Sequence, residues 1–272
     1  MAQWMGRKRS RNVARWIGRA SSRICHSQLA LARENLAAVT GATGADLDAM
    51  VRRNFNGFLG TMADYAWCAK GGSERLDTCF APVGGSEHLH AAQAPGRGVL
   101  LVTGHLGNWE LGAPHLADIG MKLTVVTMEE QTPELTRWRA EYRQRHGVRT
   151  VAIGSDRFAF VEIVKALQRG EAVALLVDRP VPDAAERVQM FERPVWFSNG
   201  PSALHKITGA PVLPVFMLEQ PDGRYQPSAL PMVAMDTNAT GHYENTQRLA
   251  DAFEPVIRAH PEQWYQFARV FS

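Results

Sequence analysis

From Gly98 onward, short apolar runs alternate with amphipathic stretches, and this alternation most restricts the fold. The runs have the length of strands and are rich in Val, Leu and Ile. Strands are predicted at residues 99–103, 123–127, 150–153, 172–177 and 212–217. Helices are predicted at residues 108–116, 133–146, 157–168, 201–208 and 244–259. Strands apolar on both sides belong to sheets covered on both faces, so the sequence predicts an α/β fold with a mainly parallel mixed sheet between helices.

The region before Gly98 is predicted to be helical. Helices are expected at residues 29–39 and 47–69, with Asp46 as the N-terminal cap of the second. Residues 179–198 contain three prolines and are predicted to be a long irregular connection that could line a site. Since ligands in layered α/β folds bind beyond the carboxyl ends of strands, residues that follow the strands are candidates for function.

The positive charge is concentrated at the N-terminus. Residues 1–33 carry eight Lys or Arg and no Asp or Glu. On a helix, a basic stripe is formed by Arg11, Arg15, Arg19 and Arg23. An opposite apolar side is formed by Val13, Ile17, Ala20 and Ile24, and the flanking aromatic residues are Trp4 and Trp16. Residues 1–40 are therefore predicted to be a basic amphipathic helical arm that contacts an anionic membrane or an acidic partner, with simple packing on the main domain, residues 41–272, as the alternative.

Several classes of protein are disfavoured by the same sequence. The longest apolar runs are of strand length, so no transmembrane helix is predicted. The three cysteines form no CxxC pair and lack zinc-ligand spacing, so neither a disulfide framework nor a metal site is expected, and a reducing compartment is favoured. Outside the arm there is no motif for reading nucleic acid, and no nucleic-acid partner is expected.

The most informative segment is residues 98–110, GVLLVTGHLGNWE, which places His105 where the first strong strand should end. In one continuous helix His105 and Glu110 would point away from each other. Gly107 and Asn108 supply a turn, with Asn108 as the expected cap of the next helix, so the two side chains are predicted to meet. A carboxylate on one imidazole nitrogen leaves the other free to take a proton from a hydroxyl. From the residues alone, a structural histidine remains an equal alternative.

The same segment resembles the H-x4-[DE] block of the lysophospholipid acyltransferase superfamily, in the form typical of its lipid A biosynthesis late (lauroyl/myristoyl) acyltransferase branch. Further similar stretches follow in the order of that branch: residues 133–147 with Arg143, Val177 with Asp178, Phe191 followed by residues 200–201 and 209–215, and residues 261–265. The resemblance covers most of the chain. Its specificity comes from the ordered set more than from any one motif.

The resemblance implies transfer of a fatty acyl group from acyl carrier protein or acyl-CoA to a hydroxyl of a membrane lipid or glycolipid such as a lipid A precursor, without metal or organic cofactor. It implies that His105 is the general base and Glu110 its orienting partner. Arg143 would bind a phosphate of the acceptor or of the donor's phosphopantetheine, and Asp178 would position substrate or Arg143. Asn108, which shapes the turn, is counted with the substrate-binding residues.

Residues 41–272 would then be the acyltransferase domain, working as a peripheral protein at the cytoplasmic face of the inner membrane in lipopolysaccharide synthesis. Two other functions stay open from the sequence. The same His/Glu pair would serve a hydrolase that attacks a lipid or thioester with water. A catalytically weak protein that binds lipid at the membrane surface would need only the basic arm.

Overall fold

The computed structural model describes residues 6–21, 25–93, 96–128, 132–153 and 158–271. The N-terminal helices are α1 (Arg7–Ser21), α2 (His26–Thr40), α3 (Gly44–Cys68), α4 (Ser73–Asp77) and α5 (Ser86–Gln93). The elements that follow are β1 (Val99–Thr103), α6 (Trp109–Asp118), β2 (Leu123–Met128), α7 (Pro133–Arg145), β3 (Arg149–Ile153), α8 (Ala159–Gln168), β4 (Ala172–Leu176), β5 (Ala185–Met190), β6 (Arg193–Ser198), α9 (Gly200–Thr208), β7 (Val212–Glu219), β8 (Tyr225–Ala229) and α10 (Tyr243–Ala259). The predicted alternation is confirmed with small shifts at the element ends.

Six strands form one sheet in the order β3-β2-β4-β1-β7-β8. Neighbouring strands run parallel, except that β8 pairs antiparallel with β7. This confirms the mainly parallel mixed sheet. In the pair formed by β1 and β4, Thr103 lies opposite Leu176, so the carboxyl ends of these two strands meet at the same edge. That edge is where ligands bind in such sheets.

Both faces of the sheet are buried under helices. Leu100 belongs to a cluster with Ile163 of α8 and Phe253 of α10 on one face. Leu101, the next residue of β1, points to the other face and belongs to a cluster with Leu111 of α6. Each such buried side chain stabilises the fold by roughly 1.5–3 kcal/mol. Packing from both sides therefore fixes the strands, and with them the position of the residues at the carboxyl edge.

The predicted irregular connection over residues 179–198 is wrong, because most of it forms an antiparallel hairpin of β5 and β6. Val188 and Met190 of β5 and Val195 and Phe197 of β6 are buried, in the alternating pattern of a strand with one covered face. Pro194 lies within β6 at the edge of this two-stranded sheet, where a missing N–H is tolerated. Strand β8 was also not predicted.

The start of α3 differs from the prediction as well. The helix begins at Gly44, and Thr43 occupies the N-cap position. Asp46 therefore lies in the first turn instead of capping the helix. A carboxylate in the first turn still interacts favourably with the positive end of the helix dipole.

Helix α1 is attached to the rest of the protein by a buried ion cluster around Asp64 of α3. The Asp64 carboxylate, whose side chain is 0% exposed, accepts hydrogen bonds from Arg7 Nε at 3.0 Å, Arg11 Nη1 at 3.1 Å and the Tyr225 hydroxyl at 2.7 Å. Arg11 Nη2 also lies 2.5 Å from Glu219 Oε1. The prediction that Arg11 belongs to an exposed basic stripe is therefore wrong, since a buried carboxylate draws this side of α1 inward.

The opposite side of α1 is turned outward although it is apolar. Val13, Trp16 and Ile17 are 43%, 70% and 49% exposed. Arg15 is exposed as predicted. Trp4, Arg23, Ile24 and Arg157 lie outside the described residues, as do the side chains of Arg19 and Ala20. Among the helices that the structure describes, none is long and apolar enough to span a bilayer.

Candidate active site

His105 and Asp178 lie side by side at the carboxyl edge of the sheet. His105 is the second residue after β1 and Asp178 the second after β4, and the register of these strands makes the two positions neighbours. His105 Nδ1 lies 2.8 Å from Asp178 Oδ1, and the backbone N–H of His105 donates to Asp178 Oδ2 at 2.8 Å. Strand register thus forms a His–Asp pair from residues separated by 73 positions.

The Asp178 carboxylate is buried and fully engaged. Its Oδ2 also accepts hydrogen bonds from Trp264 Nε1 at 3.1 Å and Gln266 Nε2 at 2.6 Å. Burial alone would raise the pKa of Asp178, but the charge and hydrogen bonds of His105, with a smaller effect of Arg179, lower it to about 2. An ionised Asp178 only accepts hydrogen bonds, so Nδ1 of His105 carries a proton, and in the neutral form of the imidazole the lone pair is on Nε2.

Glu110 does not meet His105, so the predicted pairing of these two residues is corrected. Glu110 Oε1 accepts from Arg139 Nη1 at 2.8 Å, and Oε2 accepts from Arg143 Nη2 at 3.1 Å. The turn before α6 does form, but it directs the first turn of α6 toward α7 and leaves the imidazole to Asp178. The Glu110 side chain is 3% exposed, so this ion cluster lies inside the protein.

Asn108 takes the predicted role of N-terminal cap of α6. Its Oδ1 accepts from the backbone N–H of Leu111 at 3.3 Å, and the residue is 1% exposed. Asn108 is not among the residues that line the cavity in front of His105, and its contact with substrate stays a prediction. Gly107 is required in the same turn, because its φ is +65° and an added Cβ would lie 2.0 Å from the carbonyl oxygen of Met217.

A cavity of about 790 Å³ opens in front of His105. Its polar wall contains His105, Glu110, Arg139 and Arg143. The larger, apolar part of the wall comes from the sheet and α6 and includes Leu101, Ala113, Leu116, Val125 and Ala174. The His105 side chain is 18% exposed, and among the described residues Nε2 has no hydrogen-bond partner. The lone pair of the imidazole is thus available to a ligand.

Sequence reasoning missed several residues that hold the site together. Arg139 lies one turn before Arg143 and shares its face of α7, a spacing that indicates joint action. Trp264 and Gln266 come from a C-terminal segment far from Asp178 in the chain. No local pattern reveals such contacts, because they depend on how that segment crosses the sheet edge.

The arrangement suits proton transfer from a hydroxyl beside an apolar ligand. Nε2 of His105 can take a proton, while Asp178 stabilises the imidazolium that results. The two arginines on α7 offer planar donors for an anionic group such as phosphate. A nucleophile of the protein is unnecessary when the ligand itself brings the hydroxyl that attacks.

Comparisons with known proteins indicate the family of the chain. The family model described as bacterial lipid A biosynthesis acyltransferase matches residues 1–272, in line with the resemblance inferred from the sequence. The chain is also similar to two curated proteins named phosphatidylinositol mannoside acyltransferase. The protein of Mycobacterium tuberculosis (strain ATCC 25618 / H37Rv) is 29% identical over 184 residues, which cover 67% of this chain and 57% of the relative. The protein of Mycolicibacterium smegmatis (strain ATCC 700084 / mc(2)155) is 28% identical over 183 residues, with 66% and 58% covered. The chain thus spans less than two thirds of the length of these relatives.

Proposed function

Since the chain belongs to the bacterial lipid A biosynthesis acyltransferase family, we propose that it transfers a fatty acyl group from a thioester to a hydroxyl of a membrane glycolipid. The observation that carries the proposal is the imidazole of His105, whose Nδ1 is held by Asp178 and whose free Nε2 faces a largely apolar cavity of about 790 Å³. An acyl chain suits such a wall, and a hydroxyl suits such a base. The proposed acceptor is a lipid A precursor or a related glycolipid; relatives of the chain are named for phosphatidylinositol mannoside.

The reaction proceeds as a direct transfer. Nε2 of His105 removes the proton of the acceptor hydroxyl as its oxygen attacks the thioester carbonyl. The tetrahedral intermediate then collapses, the C–S bond breaks, and the imidazolium returns the proton to the leaving thiolate. Asp178 stays ionised throughout, since its pKa is lowered to about 2. It orients the ring and stabilises the imidazolium formed in between.

Glu110 has a different task from the one the sequence suggested. Its carboxylate holds Arg139 and Arg143 in the wall of the cavity, at 2.8 Å and 3.1 Å. A guanidinium group fixed in this way loses little freedom when it binds an anion. We assign Arg143, with Arg139 beside it, to a phosphate of the acceptor or of the donor's phosphopantetheine. Acyl carrier protein and acyl-CoA both remain donors under this proposal.

The outward side of α1 is proposed to contact the membrane. Trp16 and Ile17 are exposed on this side, and Lys8, Arg9 and Arg15 are exposed on the same helix. Apolar side chains enter the interface of a bilayer while each basic side chain near an anionic surface adds about 1 kcal/mol. Residues 1–40 would thus serve as the peripheral membrane arm, and residues 41–272 as the acyltransferase domain, at the cytoplasmic face of the inner membrane where thioester donors are available.

Replacing Trp16 and Ile17 together by serine is expected to weaken binding to vesicles of phosphatidylcholine and phosphatidylglycerol by at least about tenfold, because the apolar contact is lost. Sedimentation of vesicles measures the bound fraction. Ile207→Ser on α9 is the matched control, since Ile207 is 59% exposed on another surface. Equal binding of the two variants and the wild type would assign the exposed side of α1 another role.

The proposed activity is tested by transfer of a labelled acyl group from acyl carrier protein and from acyl-CoA into a total bacterial lipid extract. We expect label in a glycolipid, and the labelled band identifies the acceptor while the better donor identifies the carrier. Label found only as free fatty acid would replace the proposal by a hydrolase. Lipid binding without turnover of either thioester would favour a membrane-surface binding protein.

A further inference from the structure

Two cysteine thiols lie in contact in the interior of the protein, outside the candidate active site. Cys68 is the last residue of α3, and Cys79 follows α4. Their Sγ atoms are 3.5 Å apart, and the two residues are 1% and 0% exposed. Both cysteines are free, and neither lines the cavity in front of His105. The proposed mechanism of acyl transfer therefore gives this pair no task.

Each of the two cysteines is held by a different part of the fold. Cys68 belongs to α3, the helix whose Asp64 attaches α1. The carbonyl oxygen of Cys79 accepts a hydrogen bond from the backbone N–H of Tyr225 in β8 at 2.7 Å. To form a disulfide of ~2.05 Å, the two sulfur atoms would have to approach by about 1.5 Å from their present 3.5 Å. Rotations of the two side chains can supply a movement of this size, so the backbone can keep its place.

The two thiols differ in acidity. The hydrogen bond from Cys68 and the positive charge of Arg7 lower the pKa of Cys79, although burial opposes them. The same hydrogen bond and burial raise the pKa of Cys68. Since the thiolate is the reactive form of cysteine, the pair contains an attacking thiol, Cys79, and a second thiol, Cys68, within reach of its sulfur.

The segment between the two cysteines gives a small oxidant a way in. Residues 69–78 contain one helix, α4, of only five residues. Apart from Ala69 and Leu76, every residue of this segment is partly or fully exposed. A segment with so few buried side chains opens at a lower free energy than the whole fold, and its opening uncovers both thiols.

We propose that Cys68 and Cys79 form a redox site, which a hydroperoxide such as hydrogen peroxide converts to a disulfide. The Cys79 thiolate attacks one peroxide oxygen, the O–O bond breaks, and the released hydroxide takes up the proton that the thiol had lost. The Cys68 thiol then attacks the sulfur of the resulting sulfenic acid, the S–O bond breaks, and a second water leaves. Together the two thiols lose two electrons and two protons, and the peroxide gains both. In a reducing compartment the pair stays as thiols until hydroperoxide rises.

The disulfide would strengthen the junction between α3 and β8. This junction already contains the hydrogen bond from the Tyr225 hydroxyl to Asp64, at 2.7 Å, and it is where α1 is attached. A covalent bond between residues 68 and 79 closes a short loop and so restricts the unfolded chain. The oxidised protein is therefore expected to resist heat better than the reduced protein.

Mass spectrometry of the wild type after treatment with hydrogen peroxide tests the site directly. The protein is expected to lose two hydrogen atoms, peptides containing Cys68 and Cys79 should be linked, and dithiothreitol should reverse both changes. The melting temperature of the oxidised protein should exceed that of the reduced protein by about 5 °C. Cys68→Ala and Cys79→Ala should each abolish this rise. Cys25→Ala is the matched control and should keep it, because Cys25 is the N-cap residue of α2 and lies outside the pair.

The contrary results are equally definite. Peroxide that leaves Cys68 and Cys79 as thiols, links either one to Cys25, or carries Cys79 on to the sulfinic acid would remove the redox site. A disulfide that forms without raising the melting temperature, or an equal rise in Cys79→Ala, would contradict the strengthening of the junction. The mass measurement needs no variant, and none of these measurements involves turnover. Their outcome is thus separate from that of the proposed acyl transfer.

Discussion

Replacing His105 by alanine is expected to lower kcat by about 10² to 10⁴, the effect of losing a general base. The fold should survive, because Asp178 keeps three hydrogen-bond donors in the backbone N–H of residue 105, Trp264 and Gln266. Steady-state transfer of a labelled acyl group measures the rate, and circular dichroism checks the fold. His88→Ala, at a half-buried histidine that lies 3.8 Å from Glu87 and does not line the cavity, is the control and should keep full activity.

Two companion variants separate the residue bonded to the imidazole from the residue named by the H-x4-[DE] spacing. Asp178→Asn removes the charge that stabilises the imidazolium and should lower kcat nearly as much as loss of His105. Glu110→Gln leaves the imidazole contact intact and loosens Arg139 and Arg143, so it should act mainly through KM. A fully active His105→Ala protein would end the general-base mechanism. A larger kcat effect for Glu110→Gln than for Asp178→Asn would return the orienting role to Glu110.

Replacing Asp64 by alanine is expected to destabilise the protein by about 3–5 kcal/mol, because Arg7 and Arg11 are left as buried charges without their shared carboxylate. For a chain of this size the melting temperature should fall by roughly 10 °C. Thermal unfolding followed by circular dichroism measures the change. The control is Asp222→Ala, which removes the carboxylate of an exposed ion pair with Arg224 and should change the melting temperature little.

The outcome of the Asp64 variant also bears on α1. A melting temperature equal to that of the wild type would mean that the two arginines find water instead, and that the ion cluster does not attach the helix. If the variant loses both thermal stability and vesicle binding, the attachment of α1 by the ion cluster is also needed for its proposed contact with the membrane.

The sheet was predictable because its central strands are apolar on both sides. The predicted ends of β1 match the structure, and β4 and β7 differ by one or two residues. The hairpin was missed because Pro180, Pro182 and Pro194 suggested an irregular chain, whereas the first two precede β5 and the third lies at an edge. The alternation of buried and exposed residues in β5 and β6 can be recognised only once the structure shows which face of the hairpin packs on the core.

The candidate site was predictable in part. His105 at a strand end before a glycine turn could be read locally, and so could the cap made by Asn108. The contact of the Asp178 carboxylate with the imidazole could not be predicted locally, since it depends on β4 lying next to β1 in the sheet. Arg11 shows the same limit, because a basic stripe is ordinarily exposed and only the buried Asp64 reverses the side of α1 that packs inward.

The adjacency of β1 and β4 has a consequence for how the protein becomes active during synthesis and refolding. His105 and Asp178 belong to strands separated in the chain by α6, β2, α7, β3 and α8, and they meet only after β4 has paired with β1 in register. A slip of one residue would turn Asp178 to the opposite face of the sheet. Parallel pairing over such a separation is slow. A nascent chain released before β4 is made would thus contain His105 without Asp178. The rate at which activity returns after dilution from denaturant would therefore report how fast β4 pairs with β1.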